Sequence, residues 1–419
     1  MHKMRIMVIS DGPKSGTGFG EEMRNIFYRL VQTGEFEVIW LGLTEQGFPI
    51  DLPDSVFSDL PHKGATIKVL SNRGDPYDFG AGVFPKHYLK YNPEVVFFMG
   101  DPKNIAGYVD EPFFWKDKFH FPLYMYCTLD GLPIHPSWMK YLNKVNALIA
   151  MTEWAQLEYM KVGLAPAAIH HGVNWSWWVN NAQIKDELRK KYKIVKDTVV
   201  YINWEVPQHR KRIDALLRCW KNMKPETKKA KLILFGDWSM DKSLGWNIED
   251  LIKQYGIPRN TILSPQELTG RPKWWEVPDS SEDLLEIARL ADIYISTTSG
   301  EGFGKCSLEA MSLGIPVIIT DYSACSEVCK KGSILVPITG TYRGHDRVRS
   351  VEAGLVNEEK FTEAMLYLYN NSEERKKLGE QAREWAREFD YDTKIITQWV
   401  NLFNSISPET IMRKELLGL

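Results

Sequence analysis

Short apolar runs alternate with longer segments of helical spacing along nearly the whole chain. In the first half the runs are Ile6–Ser10, Val38–Leu41, Ile67–Leu70, Val95–Met99, Leu123–Cys127, Ala147–Ala150 and Ala168–His170. In the second half they are Val199–Ile202, Leu232–Phe235, Thr261–Leu263, Ile293–Ser296, Val317–Thr320 and Ile334–Val336. Several are apolar at every position, as strands covered on both faces are. Their alternation with helices predicts parallel sheets with right-handed crossovers. Two such halves of similar size predict an α/β protein of two Rossmann-like domains, residues 1–180 and 181–392, with a helical C-terminal piece, residues 393–419. The boundary falls near Trp177 to Lys196, where Gly172 and Asn174 break the pattern. A short polar helix, Gln183–Tyr192, follows before a new strand. Glu358–Tyr369, Glu373–Glu388 and Thr393–Ile406 carry apolar positions at helical spacing, the last with Trp399, Leu402 and Phe403 on one side. Gly42–Pro61, Leu268–Ser280 and Arg343–Arg349 follow neither period. They read as loops, and loops of such length are often functional.

Composition narrows the class. A chain of 419 residues suits two domains. Lys and Arg total 52 against 54 Asp and Glu, a net charge of −2 that gives no sign of nucleic-acid binding. No apolar stretch approaches the ~20 residues that span a bilayer. The start, Met4 to Ser10, runs into a glycine turn and reads as a first strand rather than a signal peptide. Five cysteines at irregular spacing point to reduced thiols in a cytoplasmic protein. The cations of Gln183–Tyr192 admit two readings, a peripheral contact with acidic lipid or a solvated linker helix. Fifteen tryptophans are core filler, sugar-stacking platforms or both.

The most informative stretch runs Gly300-Glu301-Gly302-Phe303-Gly304-Lys305-Cys306-Ser307-Leu308-Glu309-Ala310-Met311. It lies between two apolar runs and reads as strand, glycine turn, helix, strand. Three glycines let backbone amides approach a ligand, and the following helix turns its positive end toward it. Amides suit an anion; the carboxylates of Glu301 and Glu309 suit hydroxyls. A ligand carrying phosphates and sugars uses all of these.

With Gly314-Ile315-Pro316-Val317-Ile318 behind it, this stretch resembles the E-x7-E motif of the retaining glycosyltransferases of family four. The resemblance implies the GT-B fold, two Rossmann-like domains facing across a cleft, with the last helix crossing back to the N-terminal domain. It implies transfer of a hexose from a nucleotide diphosphate sugar, UDP- or GDP-linked, to a hydroxyl acceptor on a glycan, lipid or protein. No further cofactor and no metal are implied, and no obvious Asp-x-Asp motif is present. Glu301 is then the ligand of donor-sugar hydroxyls, Glu309 the acceptor of ribose hydroxyls, and Gly302, Phe303, Gly304, Lys305, Cys306 and Ser307 the diphosphate turn.

Three other loops join the candidate site. Ser10 to Gly20 holds Gly16, Gly18 and Gly20 in a G-x-G-x-G spacing rather than the dinucleotide fingerprint G-x-G-x-x-G, and the second strand lacks its terminal acid. The resemblance places Gly16 and Gly18 in the cleft; a tight turn without a ligand is the alternative. Tyr201 to Arg212 puts Arg210, Lys211 and Arg212 at a helix start, where cations are disfavoured unless a polyanion binds. Lys211 matches the family's diphosphate lysine. Asn203 stands where the family has an arginine, and Arg210 is the candidate to supply that charge. Asp130, with Gly131, follows a strand where many members carry a histidine near the donor sugar. It is either a sugar ligand or a turn cap, with His135 further along. His171-Gly172-Val173-Asn174 resembles the turn that closes the family's first domain. A GT-B sugar-nucleotide epimerase and a non-catalytic sugar-nucleotide-binding protein remain as alternatives.

Overall fold

A computed structural model of the chain describes residues 2–74, 78–236, 238, 245–270, 280–343 and 351–406. Two sheets organise it. The first has eight strands in the order β3-β4-β2-β1-β5-β6-β7-β8. These are β1 (Met4–Ser10), β2 (Phe36–Gly42), β3 (Ile50–Pro53), β4 (Thr66–Ser71), β5 (Val95–Gly100), β6 (Leu123–Cys127), β7 (Ala147–Ala150) and β8 (Ala167–Ala168). The second has seven, in the order β11-β10-β9-β12-β13-β14-β15. These are β9 (Val199–Asn203), β10 (Ala230–Leu234), β11 (Ile262–Leu263), β12 (Ile293–Ser296), β13 (Val317–Asp321), β14 (Ser333–Tyr342) and β15 (Ala353–Val356). All pairings are parallel except β3 with β4 and β14 with β15, at the sheet edges. This is the expected pair of Rossmann-like domains. β3 arises inside Gly42–Pro61, which sequence reading left as a loop.

Each crossover helix forms for local reasons. Helix Gly18–Gln32 starts at Thr17, whose hydroxyl accepts from the Gly20 amide, and buries Met23, Ile26, Phe27 and Leu30 on its sheet side. Helix Lys305–Ser312 starts at Gly304, whose φ of +97° few side chains tolerate. Such turns bring the loops after β1, β6, β9 and β12 to the domain junction.

The chain crosses that junction twice. Val173 pairs with Asp390, and its amide donates to Phe389 O at 2.8 Å, so the two crossings lie side by side. Helix Ala182–Lys191 then straps onto the second domain. Lys185 and Arg189 each reach Asp292 at 2.6 Å, and Lys191 pairs with Glu286. Three of the cations that read from sequence as candidates for lipid are thus engaged within the protein, while Lys190 is exposed. Among the described residues no helix is long and apolar enough to cross a membrane.

After the second crossing, helix Ile396–Asn404 returns to the first domain, as the resemblance implied. Trp399 stands edge-on to Tyr126 and Phe97 at centroid distances of 5.0 and 5.5 Å. Phe403 meets Phe27 and Phe36 at 6.2 and 5.9 Å. Trp399, Trp40 and Trp220 are fully buried, so these three tryptophans are core, not platforms. Trp399→Ala is expected to destabilise the protein by about 3–5 kcal/mol, read by urea unfolding. A loss below about 1 kcal/mol would mean the returning helix adds little to the first domain.

Candidate active site

The second domain supplies a buried cluster of charges. The loop after β9 tightens into one turn, His209–Lys211, that points Arg210 and Lys211 at the loop after β12. Lys211 Nζ lies 2.8 Å from Glu205 Oε1 and 2.5 Å from Glu301 Oε1. Arg210 Nη1 lies 2.6 Å from the same Glu301 oxygen and donates to Gly300 O at 3.2 Å. The Thr298 hydroxyl also donates to Glu301 Oε1, at 2.6 Å. Burial alone would raise the Glu301 pKa, but Arg210 and Lys211 overcome it and hold the carboxyl well below the usual range. Arg212 stands apart from the cluster, bonded to Asp214 at 2.9 and 3.0 Å.

Asn203 departs from a phosphate-binding position. It is fully buried, and its amide donates to Glu205 Oε2 at 3.0 Å and to Ile295 O at 2.9 Å, while its oxygen accepts from the Glu205 amide. Both ends of the side chain are engaged inside the domain, because an amide two residues from a buried carboxylate is its nearest available donor.

Across the junction, the Asp130 loop packs onto the glycine turn. A Cβ on Gly300 would lie 2.2 Å from Asp130 O, and one on Gly302 would lie 3.1 Å from Asp130 Oδ1. Burial works against the positive charge of Arg210, but Glu301 and then Asp130 outweigh it and hold the guanidinium protonated. His135 is a helix cap instead: its Nδ1 accepts from the Ser137 amide at 3.2 Å. Asp101 accepts from the Thr128 hydroxyl at 2.7 Å, which ties the strand ends beneath this loop.

The helix after the glycine turn divides its residues between two faces. Ser307 and Glu309 are buried. Glu309 Oε2 accepts from Trp204 Nε1 at 3.1 Å. Burial, with Glu21 nearby, pushes the Glu309 carboxyl up to about 8. Phe303 stacks on His171 at 4.6 Å and meets Phe389 at 6.0 Å, so its ring packs the hinge. Lys305 also turns toward the first domain, 2.9 Å from Glu21 and 3.5 Å from Glu22. Glu22 is buried and takes bonds from the Tyr391 hydroxyl and the Gly172 amide. A small pocket lies here, lined by Glu21, Asp59, Trp177, Lys305 and Glu309 among others.

The first glycine loop contains two kinds of glycine. Side chains on Gly12 and Gly20 would strike Glu45 and the Gly12 carbonyl at 2.3 and 2.6 Å. Gly16 and Gly18 are exposed, and a Cβ on either meets nothing within 4 Å. Packing explains the first pair and leaves the second free for close approach to a ligand.

Sequence reading missed three residues. Glu205 lay beside the basic cluster, but nothing in its spacing marked it. Glu22 lies on an ordinary amphipathic helix. Glu327, on the short helix Cys325–Val328, caps helix Glu153–Lys161 of the other domain. It accepts from the Glu153 and Trp154 amides at 3.0 and 2.7 Å and meets His170 at 2.5 Å. Trp274, Trp275, Asp237 and most of Arg343–Arg349 lie outside the described residues.

The overall architecture is that of GT-B glycosyltransferases. Sucrose-phosphate synthase from Thermosynechococcus elongatus superposes with a TM-score of 0.74 at 15% identity, over 96% of this chain and 99% of that one. Anabaena HepE in complex with UDP-glucose gives 0.67 at 14%, over 96% and 100%. Residues 184–385 match the family described as glycosyl transferases group 1. An uncharacterized glycosyltransferase of Methanocaldococcus jannaschii is 25% identical over 233 residues, 52% of this chain and 53% of that protein. The lipopolysaccharide core biosynthesis mannosyltransferase LpsB of Rhizobium meliloti is 36% identical over 72 residues, 17% of each. The matched stretches span about half the length, or less, of these curated relatives.

Proposed function

We propose that the protein is a retaining glycosyltransferase that moves a hexose from a nucleoside diphosphate sugar to a hydroxyl acceptor, without a metal ion. The observation that carries this reading is the convergence of Arg210 and Lys211 on the glycine turn at the start of helix Lys305–Ser312. When the glycosidic C–O bond to the diphosphate breaks, negative charge grows on the leaving oxygen. Two fixed cations and the amides from Gly304 to Ser307 suit that charge most where it develops. The acceptor oxygen attacks the same face of the anomeric carbon and passes its proton to the departing phosphate. Glu301 then binds donor-sugar hydroxyls and favours the positive charge on the ring, Asp130 takes a further sugar hydroxyl, and Glu309 holds the ribose. UDP is the leading nucleotide, supported by the UDP-glucose bound to the structurally similar Anabaena protein, and GDP is the second.

The test is incubation with UDP-glucose, UDP-N-acetylglucosamine and GDP-mannose in excess chelator, with and without sugar and lipid-linked hydroxyl acceptors. Released UDP or GDP and the anomer formed are the readouts. Acceptor-dependent release with the anomeric configuration kept is expected. A C2-inverted free sugar would make the protein an epimerase, and binding without release under any condition would make it a sugar-nucleotide carrier. Binding abolished by chelator and restored by magnesium or manganese would remove the metal-free part.

A further inference from the structure

Two carboxylates share the Lys211 ammonium, and they are not equivalent. Glu205 is anchored at both oxygens: Oε1 meets Lys211 at 2.8 Å, while Oε2 accepts from Asn203 at 3.0 Å and from the Ser296 hydroxyl at 2.9 Å. Its own amide is tied to Asn203, so it is fixed to the ends of β9 and β12. In Glu301 three donors converge on the single atom Oε1. The Glu301 backbone is itself fixed, its amide and carbonyl both bonded to the Ser323 hydroxyl at 2.9 and 3.1 Å, so the side chain is the part that can swing.

A diphosphate cannot share Arg210 and Lys211 with both carboxylates, because like charges at such distances repel strongly in a buried site. One carboxylate must leave. The one held through a single oxygen is Glu301, and rotation of its side chain frees it for the sugar. We propose that Glu205 is a positioning residue for Lys211, keeping its ammonium aimed at the diphosphate when Glu301 gives up the ion pair. The proposal rests on the transferase reading above. It also gives Asn203 a place in the site: the amide holds Glu205, which holds Lys211.

The charges around Lys211 make the role measurable. Arg210 on its own turn, Glu205 after β9, Glu301 on the β12 loop and Cys306 on the next helix all face it. Tyr294, Cys325 and Cys329 face the carboxylates behind them. Burial and Arg210 push the ammonium toward losing its proton, and Glu205 and Glu301 oppose them, leaving its pKa raised. Without Glu205, Lys211 deprotonates at lower pH.

The experiment compares the wild type with Glu205→Gln and Glu205→Asp. UDP and GDP binding are measured by calorimetry, and nucleoside diphosphate release from UDP-glucose and GDP-mannose across pH. For Glu205→Gln we expect nucleoside diphosphate affinity within about threefold of wild type, or tighter. We expect kcat to fall about ten- to a hundredfold and the alkaline limb of kcat/KM to move down by about one pH unit or more. Glu205→Asp keeps the charge and restores the limb with part of the rate. Should Glu205→Gln fail to fold, the aspartate variant decides alone: reduced kcat with the wild-type limb supports the role, and wild-type kcat overturns it. Wild-type kcat and limb in Glu205→Gln would overturn the proposal and leave the transferase reading standing. No binding of UDP or GDP by the wild type would overturn the reading itself, and the proposal with it.

Discussion

Lys211→Ala is expected to lower turnover about ten- to a hundredfold and, at the same time, to cost about 3–5 kcal/mol of stability. The sequence alone suggests a residue whose loss harms activity more than folding. The structure changes that, because Lys211 neutralises two carboxylates, Glu205 and Glu301, that are 3% and 5% exposed. Removing one partner of a buried pair strands the other. The pH dependence carries a sign. The Glu301 pKa is depressed by Arg210 and Lys211 against the effect of burial, so its pairing contributes stability above the ordinary carboxylate range, and that contribution fades as pH falls through the depressed pKa. The stability gap between wild type and Lys211→Ala should therefore be full at neutral pH and narrow in acid. Urea unfolding at pH 7 and at about pH 2, with donor turnover at pH 7, reads both effects. Lys211→Met keeps the aliphatic stem and separates lost packing from lost charge. Wild-type turnover in either variant would place Lys211 outside the chemistry.

The fold was legible where burial is two-sided. Strands such as Ile6–Ser10, Leu123–Cys127 and Ile293–Ser296 are apolar up to their last residue because helices cover both faces, and the sequence pattern places them within a residue or two. β3 and β15 were missed for the complementary reason. Each is four residues long and antiparallel at an edge; Ile50 and Asp51 are exposed, and Pro53 ends β3, so no apolar run marks it. The site shows the same division. The glycine turn and the basic cluster announce themselves because they break local rules, putting cations at a helix start and glycines where a plain crossover needs none. The acids that arrange the cluster do not. Glu205, Glu22 and Glu327 look like ordinary polar residues, and their roles come from partners 6, 369 and 157 positions away. Lys305 and Phe303 add contacts that the motif does not announce. They sit inside the motif, yet their side chains reach the first domain and the hinge, because helix Lys305–Ser312 is itself a contact between the domains.

The two glutamates of the motif should separate by role and by pH. Glu301→Gln keeps the shape and removes the charge beside the reacting sugar. It should lower kcat by about a hundredfold or more while leaving UDP affinity at least as tight as wild type, because Glu301 no longer competes for Arg210 and Lys211 and only contacts stronger in the transition state than in the ground state speed the chemistry. Glu309→Gln acts at the ribose and should weaken free nucleotide and donor alike above about pH 8, where the wild-type carboxyl ionises, with a smaller effect on kcat. Calorimetry with UDP and GDP beside steady-state kinetics makes the comparison, and the reverse pattern would mean the ligand lies the other way along the loop and helix. The structure adds an independent mark for Glu309. Its pKa is raised to about 8, first by burial and then by Glu21. A raised carboxyl favours folding in its protonated form, so its contribution is complete below the ordinary carboxylate pKa and is lost as pH climbs toward 8. Glutamine imitates the protonated form at every pH. Glu309→Gln should therefore match wild-type stability near pH 4.5 and exceed it near pH 9, with Tm several degrees higher. Equal melting temperatures at pH 9 would show that Glu309 titrates normally, and its place against Trp204 and the interdomain cavity would need another explanation. With the expected shift, the glutamine variant is more stable in base and poorer at holding nucleotide, as a buried acid kept for a ligand rather than for the fold should be.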